Sequence, residues 1–238
     1  MKKVIIGDYE FVTYEIGNAV IVFSTAKNNL NFNIKSEEFR GNLYKLKEWF
    51  GLDDIQYLNQ VHSNTVYSGT DKLCGCEGDG IITDKKNNAV GVFTADCVPI
   101  IIYDKAKNIA AAVHSGWKGT FSEIVIIAVN KMEQEYGCKA KDIYAFIGPH
   151  IMSCCYEVSE ELCNKFSSAE IYRGLEVSKD RKLDLQACVI RQLEYTGINR
   201  EHITTANICT LCNKEYEMYS YRQSKEEAGR QFSFIFIK

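Results

Sequence analysis

Two apolar runs joined by a short polar turn constrain this chain more than any other feature. Val98–Asp104 reads VPIIIYD, residues 109–113 read IAAAV, and DKAKN at 104–108 suits the turn of a hairpin. Antiparallel strands can meet through so short a link, whereas parallel strands need a crossover of about a dozen residues or more. A purely parallel, doubly wound sheet is excluded. Other β-branched or aromatic stretches, at Ala19–Ser24, 55–58, 65–68, Gly80–Thr83, 90–94, Ile143–Ile147 and 232–237, read as strands between polar or glycine-bearing turns.

Helices fit between them. Residues 37–50 direct Phe39, Leu43, Leu46 and Phe50 toward a core. In 120–136, Phe121, Ile124, Val125, Ala128, Met132 and Tyr136 recur at spacings of three and four, and Gly137 supplies a stop. A further helix over 184–195 places Leu185, Cys188, Val189, Gln192 and Leu193 on adjoining faces. No Pro- or Ser-rich linker and no fixed-period repeat divides the chain. The pattern predicts one α+β domain over residues 1–238, with mixed β-sheets flanked by helices. The stretch 71–79 (DKLCGCEGD) reads as a mobile insertion.

Charge and hydropathy exclude several partners. Twenty-eight basic against 31 acidic residues give a net charge of −3, which argues against a general electrostatic grip on nucleic acid. The apolar run at 4–6 is too short for a signal segment, and no stretch approaches the ~18 apolar residues of a membrane span. A cytoplasmic protein with no membrane partner is expected. Ten cysteines then read mainly as reduced, packed thiols, Cys138, Cys163 and Cys188 among them.

Chemistry concentrates at strand ends, where a rigid scaffold can mount it. Asn59-Gln60-Val61-His62, Thr94-Ala95-Asp96-Cys97, Val113-His114-Ser115-Gly116-Trp117-Lys118-Gly119, and Gly148-Pro149-His150 with Cys154-Cys155-Tyr156-Glu157 are the four clusters. His62, Cys97 and His114 would form a two-imidazole, one-thiolate metal set, with a fourth position open to water or substrate. Cys97 and His114 alone could instead be a thiolate–imidazole dyad. His62 discriminates, because a dyad needs no second imidazole.

Two cysteine pairs read differently. Cys209-Thr210-Leu211-Cys212 is a CxxC and Cys74-Gly75-Cys76 a closer pair, but a structural zinc normally takes two matched knuckles. Both pairs are expected to be packed or incidental thiols, with Cys209 and Cys212 reduced and metal-free. Gly116 and Gly119 suggest a helix-entry loop with Thr120 as its N-cap, where Lys118 and backbone amides could hold phosphate or carboxylate.

The stretches NQVHSNTV (59–66), GDGIITD (78–84), TADCVPIII (94–102), AAVHSGWKGT (111–120) and IGPHIMSCCYEV (147–158) occur in that order. Together with Leu183-Asp184-Leu185, Cys209-Thr210-Leu211-Cys212 and Ser220-Tyr221-Arg222, they resemble the YfiH-type laccase-domain family across almost the whole chain. The resemblance implies a zinc-dependent purine nucleoside phosphorylase acting on adenosine, inosine and methylthioadenosine, with adenosine deaminase activity. Purine nucleosides and phosphate would be its small-molecule partners. It places the metal ligands and catalytic centre on His62, Cys97 and His114, and suggests Asn31 and Arg40 at the substrate. Phosphorolysis needs an anion pocket, for which Arg40, Lys118 and Arg222 are the candidates.

One stretch departs from the family. Where an Arg-x-Gly-Gly segment is usual, this chain has Ala26-Lys27-Asn28-Asn29. The older polyphenol oxidase label fits poorly, since four histidines and no His-x-His cannot build a multicopper cluster, although copper could occupy the same three-ligand site. The H-x-E…P-C-x-x-C signature of zinc nucleobase deaminases is absent too, so any deamination belongs to a convergent site. The competing classes are a metal-independent Cys97–His114 hydrolase or deamidase, a copper-dependent phenol oxidoreductase, and a binding module clipped by zinc.

Overall fold

The computed structural model describes residues 1–69 and 73–238. From the N-terminus run β1 (Lys2–Ile6), β2 (Tyr9–Ile16), β3 (Ala19–Ser24), α1 (Phe39–Phe50), β4 (Asp54–Gln56), β5 (Val66–Ser68), β6 (Gly80–Thr83) and β7 (Asn88–Thr94). There follow β8 (Val98–Asp104), β9 (Ile109–Ser115), α2 (Trp117–Phe121), α3 (Ile124–Tyr136), β10 (Ile143–Ile147) and α4 (Glu160–Ser167). The chain ends with β11 (Ser178–Lys179), β12 (Lys182–Leu183), α5 (Leu185–Tyr195), β13 (Ile203–Thr205), α6 (Tyr221–Ser224) and β14 (Gln231–Ile237). One six-stranded sheet has the order β1-β2-β3-β14-β7-β4, a second β13-β10-β8-β9-β6-β5, and both are mixed.

Alternation along each strand explains the layering. On β8 and β9, Ile101, Tyr103, Ala110 and Ala112 pack against Ile21, Val90, Val92 and Ile235 of the first sheet. Their neighbours Ile100, Ile102, Ala111 and Val113 face Val125, Ala128, Val129 and Met132 of α3 and Leu185 and Val189 of α5. The other face of the first sheet sets Phe11, Val22, Phe232, Phe234 and Phe236 against Leu46 of α1. The order is therefore helix, sheet, sheet, helices. Central strands are covered on both faces, which is why they read as unbroken apolar runs. Gly91 permits the tight aromatic packing outside the first sheet, because a Cβ there would lie 2.3 Å from Phe232 Cζ.

Four local expectations change. The helix expected over 120–136 is two helices: Glu123 adopts φ 58° and breaks the run between α2 and α3. The first of these starts at Trp117 with Gly116 as N-cap, so Thr120 lies inside it and its Oγ1 donates to Gly116 O at 3.0 Å. The stretch 71–79 is only partly within the described residues, and its end is anchored rather than mobile, since Asp79 is fully buried. β2 joins the expected strands because its polar residues are satisfied: Glu10 pairs with Lys3 at 2.9 Å, and Thr13 Oγ1 donates to Lys2 O at 3.4 Å.

Candidate active site

His62, Cys97 and His114 come together although 35 residues separate the first two. His114 is near the end of β9, Cys97 in the turn joining β7 to β8, and His62 in the loop after β4. One donor atom from each lies within 4.8 Å of the others. His62 Nε2 is 3.7 Å from Cys97 Sγ, and the two imidazoles meet edge-on with centroids 4.9 Å apart. Both loops hold unusual backbone: φ is 59° at His62 and 94° at Asp96. Non-glycine residues in such conformations cost about 1–3 kcal/mol each and persist where surrounding contacts impose them.

Those contacts are visible. Asp79, just before β6, accepts hydrogen bonds from His62 N (3.1 Å), Ser63 N (2.6 Å) and Ser63 Oγ (2.7 Å), which fixes the His62 loop. The same carboxylate accepts a hydrogen bond from His114 Nδ1 at 2.8 Å. An ionised carboxylate only accepts, so the imidazole tautomer is set and Nε2 is left toward Cys97 and His62. Asp96 is tied by Thr210 Oγ1 at 2.6 Å and by the Arg222 amide at 2.6 Å. Gly116 leaves the room: a Cβ there would meet His62 Cδ2 at 2.9 Å and Cys97 Sγ at 3.0 Å.

Charge follows from this arrangement. Burial pushes the Cys97 thiol up, but the His114 charge, then hydrogen bonds from His114 and His62, outweigh it and bring it down to about 6. Burial likewise disfavours charge on His114, yet Cys97 and Asp79 raise it to about 9. Asp79 is held below the usual carboxylate range because hydrogen bonds from His114 and Ser63 overcome the upward effect of burial. Without a metal the centre is a thiolate–imidazolium pair. Two imidazoles and a thiolate with a carboxylate behind one ring are also a donor set suited to zinc.

The cluster forms part of the floor of a cavity of about 680 Å³. Phe32, Phe93, Tyr156 and Tyr221 give it aromatic walls, and Lys35, Arg222, Lys225 and Arg230 give it positive charge. Among the described residues none of these four cations makes an ion pair. Of the residues expected at the substrate, Arg222 lines the cavity, its guanidinium 5.5 Å from the Tyr156 ring centroid. Asn31, Arg40 and Lys118 do not line it. The Asn31 side chain instead accepts from the amides of Asn33 (2.8 Å) and Arg230 (2.9 Å), shaping the wall from behind. Arg40 is exposed on the first turn of α1, and Lys118 Nζ sits 5.8 Å from the centroid of its neighbour Trp117.

Sequence reasoning missed Asp79, Lys35, Lys225 and Arg230. Asp79 had a signal, as the acid between two glycines in GDGIITD. The expectation that Cys209 and Cys212 lack a matching pair is overturned: the vicinal Cys154 and Cys155 meet them, with donor atoms of all four within 4.8 Å.

Comparison with known proteins shows the family. The family described as multi-copper polyphenol oxidoreductase laccase matches residues 11–238. The chain belongs to that family. Among its relatives, a purine nucleoside phosphorylase of Clostridium acetobutylicum is 48% identical over 238 residues, covering 100% of this chain and 99% of its own. The purine nucleoside phosphorylase YlmD of Bacillus subtilis is 29% identical, covering 100% of this chain and 90% of its own. The crystal structure of YfiH from Bacillus licheniformis superposes with a TM-score of 0.88 at 25% identity, covering 97% of each chain. The family's descriptive name implies more copper ligands than this site provides. Of the other two histidines, His150 Nδ1 donates to Gly148 O at 2.9 Å and His202 Nδ1 to Ile143 O at 3.1 Å, neither beside Cys97. No helix among the described residues is long and apolar enough to cross a membrane.

Proposed function

We propose that this protein is a zinc-dependent purine nucleoside phosphorylase that also deaminates adenosine in the same cavity. One observation carries the reading: two imidazoles and a thiolate converge on a cavity that has aromatic walls and unpaired cations. Relatives that bear the name purine nucleoside phosphorylase support it. Phosphorolysis forms a bond from a phosphate oxygen to the ribose C1′ and breaks the glycosidic bond, giving ribose 1-phosphate and the free purine. Arg222, Lys225, Arg230 and Lys35 would hold the phosphate, since charge on the nucleophile must be neutralised before it approaches the sugar. Phe93, Tyr156 and Tyr221 offer flat faces to a purine ring. His62, Cys97 and His114 would hold zinc, which when bound supplies a Lewis acid at the cavity floor. Asp79 keeps the His114 proton on Nδ1, so the other ring nitrogen stays available as a donor.

A second reading has its own observation. Asp79, His114 and Cys97 form a line of carboxylate, imidazole and thiolate of the kind used by cysteine hydrolases. His62 favours the metal, because its ring nitrogen is also aimed at Cys97. Incubating metal-analysed protein with adenosine or inosine, with and without phosphate, tests both. Ribose 1-phosphate and free base that appear only with phosphate and vanish on metal removal are expected. Undiminished turnover in metal-free protein, abolished by alkylating Cys97, would give the hydrolase instead.

A further inference from the structure

We propose that Cys154, Cys155, Cys209 and Cys212 bind a second zinc ion as a structural tetrathiolate, clamping together the two segments that form the wall beside the catalytic centre. This site shares no ligand with His62, Cys97 and His114 and does not depend on the proposed reaction. Four thiols on two distant chain segments have donor atoms all within 4.8 Å, and Cys154 Sγ lies 3.4 Å from Cys212 Sγ. Zinc–thiolate bonds of about 2.3 Å at tetrahedral angles put sulfur atoms about 3.8 Å apart, so the cluster closes on a metal with small side-chain adjustments. Four sulfur donors in a tetrahedron select zinc or an iron centre over the harder cations. Zinc needs no redox partner to be retained there.

The backbone is already shaped for this. The amides of Cys155 and Tyr156 both donate to Met152 O at 2.9 Å, making the tight turn that presents Cys154 and Cys155. A parallel bridge between His150 and Cys209 joins this turn to the second segment, with His150 N donating to Ile208 O at 3.2 Å and Thr210 N to His150 O at 3.0 Å. After Cys209, the Asn213 amide returns to Cys209 O at 3.2 Å and closes the CxxC turn. The Cys209 sulfur accepts hydrogen bonds from the amides of Met152, Cys212 and Leu211, an arrangement that stabilises a thiolate. Four thiols crowd at this point, with Cys154 Sγ and Cys212 Sγ in direct contact. A divalent cation resolves that crowding and releases their protons to solvent.

The clamp has a structural consequence at the active site. Thr210, inside the CxxC turn, donates to Asp96 Oδ1, and Asp96 precedes Cys97 in the strained turn. Ile151, in the partner segment, donates its amide to Asp96 O at 2.9 Å. Tyr156, next to Cys155, lines the cavity. The second zinc would therefore hold the backbone on which Cys97 is mounted without touching substrate.

Metal counting on the full chain tests the proposal. Protein purified under reducing, chelator-free conditions is expected to carry two zinc ions per chain. Cys97→Ser is expected to retain one, and Cys154→Ser with Cys212→Ser to retain the other. In case the double variant fails to fold, the Cys97→Ser protein is stripped and titrated with Co2+. A one-equivalent, intense thiolate-to-cobalt absorption with tetrahedral ligand-field bands supports the tetrathiolate. A single zinc per wild-type chain that is lost entirely in Cys97→Ser overturns it. So does a Cys154–Cys212 disulfide that persists in protein purified with reductant and zinc, detected as a linked peptide.

Discussion

Asp79 Oδ1 lies 2.8 Å from His114 Nδ1 while its other oxygen takes both the amide and the hydroxyl of Ser63. One buried carboxylate thus sets the tautomer of one expected ligand and the loop carrying another. Asp79→Asn keeps the shape but removes the charge and offers an amide N–H where an acceptor is needed. Metal affinity is expected to fall about 10–100-fold, the usual cost of losing a carboxylate behind a ligating histidine. Competition with a chromophoric chelator reads it, and circular dichroism shows whether the fold is retained.

The Gly116→Ala variant isolates space from charge. Gly116 has φ −73° and ψ 178°, which alanine adopts freely, so the backbone does not resist the change. The added Cβ would stand 2.9 Å from His62 Cδ2 and 3.0 Å from Cys97 Sγ, so both side chains must shift to admit it. Overpacking of this kind costs about 1–3 kcal/mol, and here it falls on the separation of two expected ligands. Zinc affinity is expected to drop about tenfold or more, because His62 and Cys97 must move apart to relieve the contact, and the metal-free protein is expected to lose some thermal stability as well. An unchanged zinc affinity would show that His62 or Cys97 lies elsewhere when metal is bound.

Much of the scaffold is legible in the sequence because its central strands are buried on both faces. Val98–Asp104 and Ile109–Ser115 leave no polar alternation to mislead, and their hairpin forces antiparallel pairing. The helix break at Glu123 is not legible, because the apolar spacing continues across it and only a left-handed φ of 58° reveals it. Site residues follow the same division. His62, Cys97 and His114 carry chemistry in their own names, whereas Lys35, Lys225 and Arg230 look like ordinary surface cations until the fold turns them into one cavity. The four-cysteine cluster escapes a search for paired CxxC knuckles because half of it is a vicinal pair, and Cys154 and Cys212 are 58 positions apart.

Reactivity of Cys97 in metal-free protein has a defined pH dependence. Burial opposes the thiolate, but the His114 charge beside it lowers the thiol to about 6. The thiolate is the reactive form, so alkylation by iodoacetamide is expected to hold its rate as pH falls from 8 and then decline with a midpoint near 6. An ordinary thiol, ionising near 8.5, would already be losing rate across that whole range, roughly tenfold per unit. Zinc is expected to protect Cys97 at every pH. Peptide mass mapping after timed labelling separates it from the other nine cysteines.

The anion pocket can be located by contrasting two cations. Arg222 lines the cavity, with its amide bound to Asp96 and its Nη1 donating to Glu157 O at 2.9 Å, so its remaining donors are held at a fixed place in the wall. A charge-assisted hydrogen bond to phosphate contributes about 1.5–3 kcal/mol, and its loss in Arg222→Ala is expected to raise the phosphate KM about 10–100-fold. Lys118 sits in the five-residue helix α2 and outside the cavity lining. Lys118→Ala is expected to behave as a surface change, within about 0.5 kcal/mol in any parameter. Initial rates at saturating inosine and varied phosphate, with zinc content measured on the same samples, read both variants. A phosphate KM that rises in Lys118→Ala and stays fixed in Arg222→Ala would move the anion site to the N-terminal end of α2.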